Sequence, residues 1–156
     1  VTYEQMDAEE LSRRGAVAAK GDGELADGIQ DVLRERGLDP ATHFAILRQP
    51  LKSDETSVGT ELEDLFRAGF DGFVCHGDAR AAVVYRKAQS CGRGVGRDIG
   101  VVGYFNTAWC EMLTPHLTSV SIEEERIADL AAEAVLGNWQ GRRIVVPPRL
   151  VVRSSG

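Results

Sequence analysis

Residues 99–105, IGVVGYF, form an apolar run between Asp98 and Asn106. The run is too short for a typical helix and lacks the polar alternation of a strand with one wet face, so it predicts a central strand buried on both faces. Such a strand needs neighbours on either side and helices above and below, which restricts the chain to layered α/β folds. A polar and aromatic loop follows, then LTPHLTSV, where Pro115 stops any helix and residues 118–120 begin another extended segment. Ligands of open α/β sheets sit outside the carboxyl ends of strands, which places the expected pocket at residues 105–109.

In chain order, residues 1–5 suggest a short strand, and residues 6–20 a modest helix carrying Leu11, Ala16, Val17 and Ala19. Gly21 and Gly23 break it. Residues 25–36 place Leu25, Ile29, Val32 and Leu33 at helical spacing before Gly37. HFAIL at 43–47 predicts a strand, and the polar stretch 49–57 a rim loop ending in good N-cap residues. Residues 60–68 predict a helix closed by Gly69, residues 72–75 a buried strand, and residues 79–90 a helix with an Ala and Val face. After the turn CGRGVGRD and the central strand, residues 122–136 form an amphipathic pattern with Glu123, Glu124 and Glu125 in the first turn, where carboxylates suit the helix dipole. RIVV at 143–146 and LVV at 150–152 predict extended pieces around a double proline. Alternating strands and helices imply βαβ units and a parallel sheet flanked by helices.

At 156 residues the chain suits one compact unit, and its net charge of −6 repels phosphate backbones, so these residues are not expected to bind nucleic acid by themselves. No run approaches the length of a membrane span and VTYEQMDAEE does not resemble a signal peptide, so no membrane partner and a cytoplasmic location are expected. Cys75, Cys91 and Cys110 are odd in number and widely spaced; they read as small, mostly buried residues of a reducing compartment. Ser53, Ser57 and Ser121 lie in no nucleophile elbow, and Arg93–Asp98 follows a helix and precedes a strand, the wrong order for a dinucleotide turn. Cys110 with His116 would offer a metal only two ligands from one loop. No catalytic residue, metal or cofactor is expected.

GFVCHGDARAA, VGRDIGVVGY, LTPHLTSV and VPPRLVVRSSG occur in that order, and together they resemble the closing half of the effector-binding domain of lactose-repressor/galactose-repressor (LacI/GalR) regulators. The likeness runs over residues 27–156 and is strongest from Gly72 onward. It implies a two-lobed, periplasmic-binding-protein-like fold with a small-molecule effector in the cleft. It further implies a homodimer that presents helix-turn-helix heads to operator DNA. No such head is read in these residues. By the same likeness, residues 1–20 and 121–141 are expected in the amino-terminal lobe, and residues 21–120 and 142–156 mainly in the carboxyl-terminal one. A transporter's periplasmic solute-binding protein is the alternative, since it shares the fold.

Sugar-binding members of this family hold their effector through an arginine, an asparagine and an aspartate at positions matching Leu25, Gly77 and Phe105. None of the three is kept, and losing the bidentate arginine and the carboxylate removes the strongest directional partners for hydroxyls. The pocket expected from the remaining residues has Phe105, Trp109 and Leu25 as walls, with His76, Asp78 and Asn106 as polar groups beside Gly77. The expected effector is a sugar-like or more apolar metabolite, and this pocket suits one flatter or more apolar than a standard hexose. Each residue also has a structural reading: Phe105 and Trp109 as packing, Asp78 as a helix N-cap, His76 as a turn residue. In the helix at 79–90, Val83, Val84 and Tyr85 are candidates for either a dimer face or the core.

Overall fold

A computed structural model describes residues 16–19, 23–47, 55–137, 139, 141 and 143–156. The expected strand at 1–5, most of the helix expected at 6–20 and most of the rim loop at 49–57 lie outside these. The described elements run β1 (Ala16–Ala19), α1 (Gly23–Glu35), α2 (Pro40–His43), β2 (Phe44–Leu47), α3 (Glu55–Ala68), β3 (Gly72–Val74), α4 (Asp78–Ser90), β4 (Gly100–Tyr104), α5 (Trp109–Met112), β5 (Thr118–Ser121), α6 (Glu124–Gly137) and β6 (Arg149–Val151). The strands form one sheet in the order β2-β1-β3-β4-β5-β6. The first five are mutually parallel, and β6 pairs antiparallel with β5.

Local chemistry accounts for much of this. Helix α1 ends where Gly37, at φ 74°, turns the chain back so that its N–H reaches Arg34 O at 3.0 Å and the Leu38 N–H reaches Leu33 O at 2.9 Å. A left-handed residue there is open to glycine at little cost, and the two bonds satisfy carbonyls that the helix end would otherwise leave bare. Gly69 after α3 and Gly92 after α4 repeat the arrangement.

Four expectations change. Ala16–Ala19 is a strand, not the end of a helix, and it lies between β2 and β3 in the same sheet as the later strands. Four small or β-branched residues cannot be assigned by periodicity alone; pairing with β2 on one side and β3 on the other decides them. Glu55 to Ser57, expected in a loop, begin α3. Residues 109–112 form the short helix α5 where only a loop was expected. Strand β4 alternates between buried and half-buried positions, so it is covered fully on one face only.

That covered face holds the core. Ala45, Leu47, Phe73, Cys75 and Val101 from the sheet meet Leu62, Leu65 and Phe66 of α3 and Ala81, Val84, Tyr85 and Ala88 of α4. Val84 and Tyr85 are therefore core residues, and the Tyr85 hydroxyl donates to Pro115 O at 3.0 Å. Helices α1 and α6 differ from these two. Among the described residues neither contributes to the core, and Ile127, Val135 and Leu136 of α6 stand exposed.

The carboxyl-terminal segment is tied into the sheet by polar bonds. The buried Ser155 hydroxyl donates to Val101 O at 2.6 Å and accepts from Thr118 N–H at 2.8 Å, while Val101 N–H donates to Ser155 O at 2.8 Å. Arg153 donates to Leu117 O at 2.8 Å through Nη1. Among the described residues, no helix is long and apolar enough to cross a membrane.

Candidate functional site

Strands β1 to β5 run the same way, so their carboxyl ends share one edge of the sheet. The order of the strands reverses between β1 and β3, and loops that part at such a reversal leave a crevice where α/β proteins bind ligands. His76 and Gly77 follow β3 at that point, and Phe105 and Asn106 follow its neighbour β4. The Cys75 N–H still pairs with Val102 O at 2.8 Å, after which Gly77 donates to Cys75 O at 2.8 Å in a tight turn. Gly77 adopts φ 141°, a backbone open to glycine and strained for side-chain-bearing residues, and it caps α4 without a side chain.

Three rings gather at these strand ends. His76 lies parallel to Tyr104, 5.9 Å between ring centres and 5° between planes. Phe105 stands edge-on to both, at 5.0 Å from Tyr104 and 6.0 Å from His76, the separations and angles that aromatic quadrupoles favour. Phe105 N–H makes a sheet bond to Val120 O at 2.8 Å, and the chain then leaves the sheet with Phe105 at φ 93° and Asn106 at φ 53°. A left-handed phenylalanine costs on the order of 1–3 kcal/mol, and such strain is held only where the surroundings impose it. They do so here through Asn106, whose N–H reaches Ser119 Oγ at 3.1 Å and whose Oδ1 accepts from Arg153 Nη2 at 2.9 Å.

Beside Phe105 and Asn106 opens a cleft of about 440 Å³, also lined by Ser121, Glu123, Glu124, Glu125, Arg126, Asp129 and Arg149. Glu123 is left-handed at φ 59°, its N–H donates to Ser121 Oγ at 3.1 Å, and its Oε1 accepts from Arg149 Nε at 3.2 Å. The Ser121 hydroxyl and, to a lesser degree, the Arg149 guanidinium hold the Glu123 carboxyl below the usual carboxylate range, against the effect of desolvation.

The structure thus brings Phe105, Asn106 and His76 together. Asp78 lies in the first turn of α4, where Gly77 is the cap, and is not an N-cap itself. It is 1% exposed; Oδ2 accepts from Thr107 N–H at 2.6 Å and Thr107 Oγ1 at 2.8 Å, and Oδ1 from Ser119 Oγ at 2.6 Å. Trp109 begins α5 and is exposed, and Leu25 is half-buried in α1; neither lines the cleft beside Phe105. Sequence reasoning missed Tyr104, Arg153, Glu123 and Arg149. Tyr104 was counted as strand interior, and the other three come from segments whose approach to Asn106 or the cleft leaves no local pattern.

The periplasmic binding protein-like domain family matches residues 11–156, and the chain belongs to it. Within that family it is an effector-binding domain of the LacI/GalR type. It is 36% identical over 86 residues to the HTH-type transcriptional repressor PurR of Proteus mirabilis (strain HI4320), a match covering 52% of this chain and 25% of that protein. To the lactose operon repressor of Rhizobium radiobacter it is 28% identical over 89 residues, 54% of this chain and 79% of that sequence. Among solved structures it resembles a LacI family regulator from Arthrobacter sp. FB24 in complex with lactose, with TM-score 0.72 and 20% identity over 92% of this chain and 57% of that one. The CelR–cellobiose complex gives TM-score 0.68 and 23% identity over 93% and 47%. The chain spans about a quarter of the length of the PurR protein and about half of the CelR chain. These relatives are regulators, not transport receptors or enzymes.

Proposed function

We propose that this chain is the ligand-sensing and dimerisation part of a LacI/GalR-type repressor, acting in the cytoplasm by binding and without catalysis. A small effector occupies the crevice at the carboxyl edge of the sheet, with Phe105, Asn106 and His76 against it. Operator DNA is held by a helix-turn-helix head lying outside these residues. The observation that carries this reading is the strand-order reversal between β1 and β3, with His76 and Gly77 just past β3 and a strained Phe105 past the next strand, within a periplasmic binding protein-like domain.

Helix α6 belongs to the amino-terminal lobe in this proposal. Its Ile127, Val135 and Leu136 are exposed among the described residues, which suits a helix covered by further residues of that lobe. The outer face of α4, where Arg86 and Gln89 are exposed near Met112, faces the second copy of the dimer. An effector that prefers one lobe arrangement by about 1–3 kcal/mol changes operator affinity by roughly 5- to 150-fold. Titration of operator DNA with the native protein, with and without a panel of metabolites, tests this. Operator affinity indifferent to the whole panel overturns the sensing role, and a monomer by sedimentation with Met112→Lys unchanged from wild type overturns the dimer.

A further inference from the structure

We propose that the effector of this cleft is a flat aromatic or heteroaromatic cation, not a sugar; the inference rests on the effector-binding reading above. A sugar presents several hydroxyls, each needing a directional partner. The carboxylate and the amide oxygen at the ends of β3 and β4 are turned to partners within the protein: both Asp78 oxygens to Thr107 and Ser119, and Asn106 Oδ1 to Arg153. Leu25, Gly77 and Phe105 bring no hydrogen-bonding side chain to the crevice.

The edge offers ring surface instead. Phe105 stands perpendicular to the parallel pair His76 and Tyr104, and all three remain half-exposed, so π surface is left for a ligand. Phe105 also lines the adjoining cleft, where four carboxylates, Glu123, Glu124, Glu125 and Asp129, face two guanidiniums, one of which is bonded to Glu123. An excess of negative charge next to an aromatic wall attracts a cation at the ring face. About 440 Å³ accommodates a molecule of one or two rings.

Benzamidine and benzoate share a flat ring and carry opposite charge, so the pair separates shape from charge. In calorimetric titration of the native protein, benzamidine is expected to bind at least tenfold more tightly than benzoate. Phe105→Leu, which keeps bulk but removes the π face, is expected to weaken benzamidine at least tenfold while the thermal midpoint shows that the protein is folded. Glu124→Gln is expected to weaken benzamidine and leave benzoate unchanged or stronger. Equal binding of the two, or no binding of benzamidine, overturns the proposal. Ribose or cellobiose binding in place of benzamidine, lost in Phe105→Leu, overturns it while leaving the sensing role intact. Operator affinity indifferent to every metabolite is the separate result under which the sensing role itself fails.

Discussion

The hydroxyl of Ser119 on β5 donates to Oδ1 of Asp78 at the start of α4, 2.6 Å away and 41 residues earlier in the chain. Thr107 closes on the other oxygen with its N–H and its hydroxyl, so one buried carboxylate joins α4, the loop after β4, and β5. Gly103 makes the approach possible, because a Cβ there would collide with Asp78 Oδ1 and press on Leu117.

Asp78→Ala leaves the Thr107 N–H and two hydroxyls without their acceptor inside the protein. Hydrogen bonds to charged groups contribute about 1.5–3 kcal/mol each and are not additive within one network, so a loss of about 3 kcal/mol is expected. Ser119→Ala is expected to cost about 1–2 kcal/mol, and the double variant less than the sum. Urea denaturation of the three variants gives the coupling directly; additive losses would show that the two residues act separately. Gly103→Ala is expected to be at least as damaging as Ser119→Ala, since overpacking a tight contact costs about 1–3 kcal/mol.

Ser155→Ala removes the acceptor of Thr118 N–H and the donor to Val101 O. A buried group left unsatisfied costs about 1–3 kcal/mol. The Thr118 amide should then exchange with deuterium faster than neighbouring β5 amides. Gly96→Ala should loosen the same segment, because its Cβ would collide with Ser154 O at a backbone of φ 77°. Unchanged exchange at Thr118 in both variants would mean that the carboxyl-terminal segment is held by other bonds.

Asp98 titrates at about 2, held down first by its bond to the Arg97 guanidinium and then by the Gly94 N–H. An unfolded aspartate titrates near about 3.9, so the folded pKa is depressed. The stability this contributes is present above about pH 4 and lost as the pH falls toward 2. Asp98→Asn should therefore lower the urea midpoint at pH 6 and flatten its fall between about pH 4 and pH 2. An acid limb of the same slope in both proteins would contradict the assignment.

The three cysteines should separate by reactivity. Burial pushes the Cys75 thiol up to about 12 and raises Cys110 as well, whereas Cys91 is exposed after α4. Thiolate is the reactive form, so iodoacetamide at neutral pH should label native protein once, at Cys91, and reach the other two only on unfolding. Peptide mapping after alkylation decides this, and early labelling of Cys75 would show that the core opens there.

Strands at 44–47, 72–74, 100–104 and 118–121 and the helices α1, α3, α4 and α6 are legible because their signals are local. The runs are short and apolar, the helical faces repeat every three or four residues, and a glycine follows α1, α3 and α4. The positions of Phe105, Asn106 and His76 are legible for a related reason: the residues just past a parallel strand lie at the sheet's carboxyl edge whatever the rest of the chain does. Residues 16–19 were misread because four small residues carry no period, and the one-sided burial of β4 was not visible because an apolar run does not say how completely each face is covered.

The sequence by itself determined the alternation of strands and helices, which residues fall just past the parallel strands, and the likeness to a family. Each depends on contacts a few residues long or on motifs in order. Tertiary structure alone decided that Asp78 is turned inward to Thr107 and Ser119, that Arg153 holds Asn106, and that Phe105 stands at φ 93° against His76 and Tyr104. Those relationships join residues 29 to 47 positions apart, except at the rings of one strand end, and depend on how the sheet brings its strands side by side.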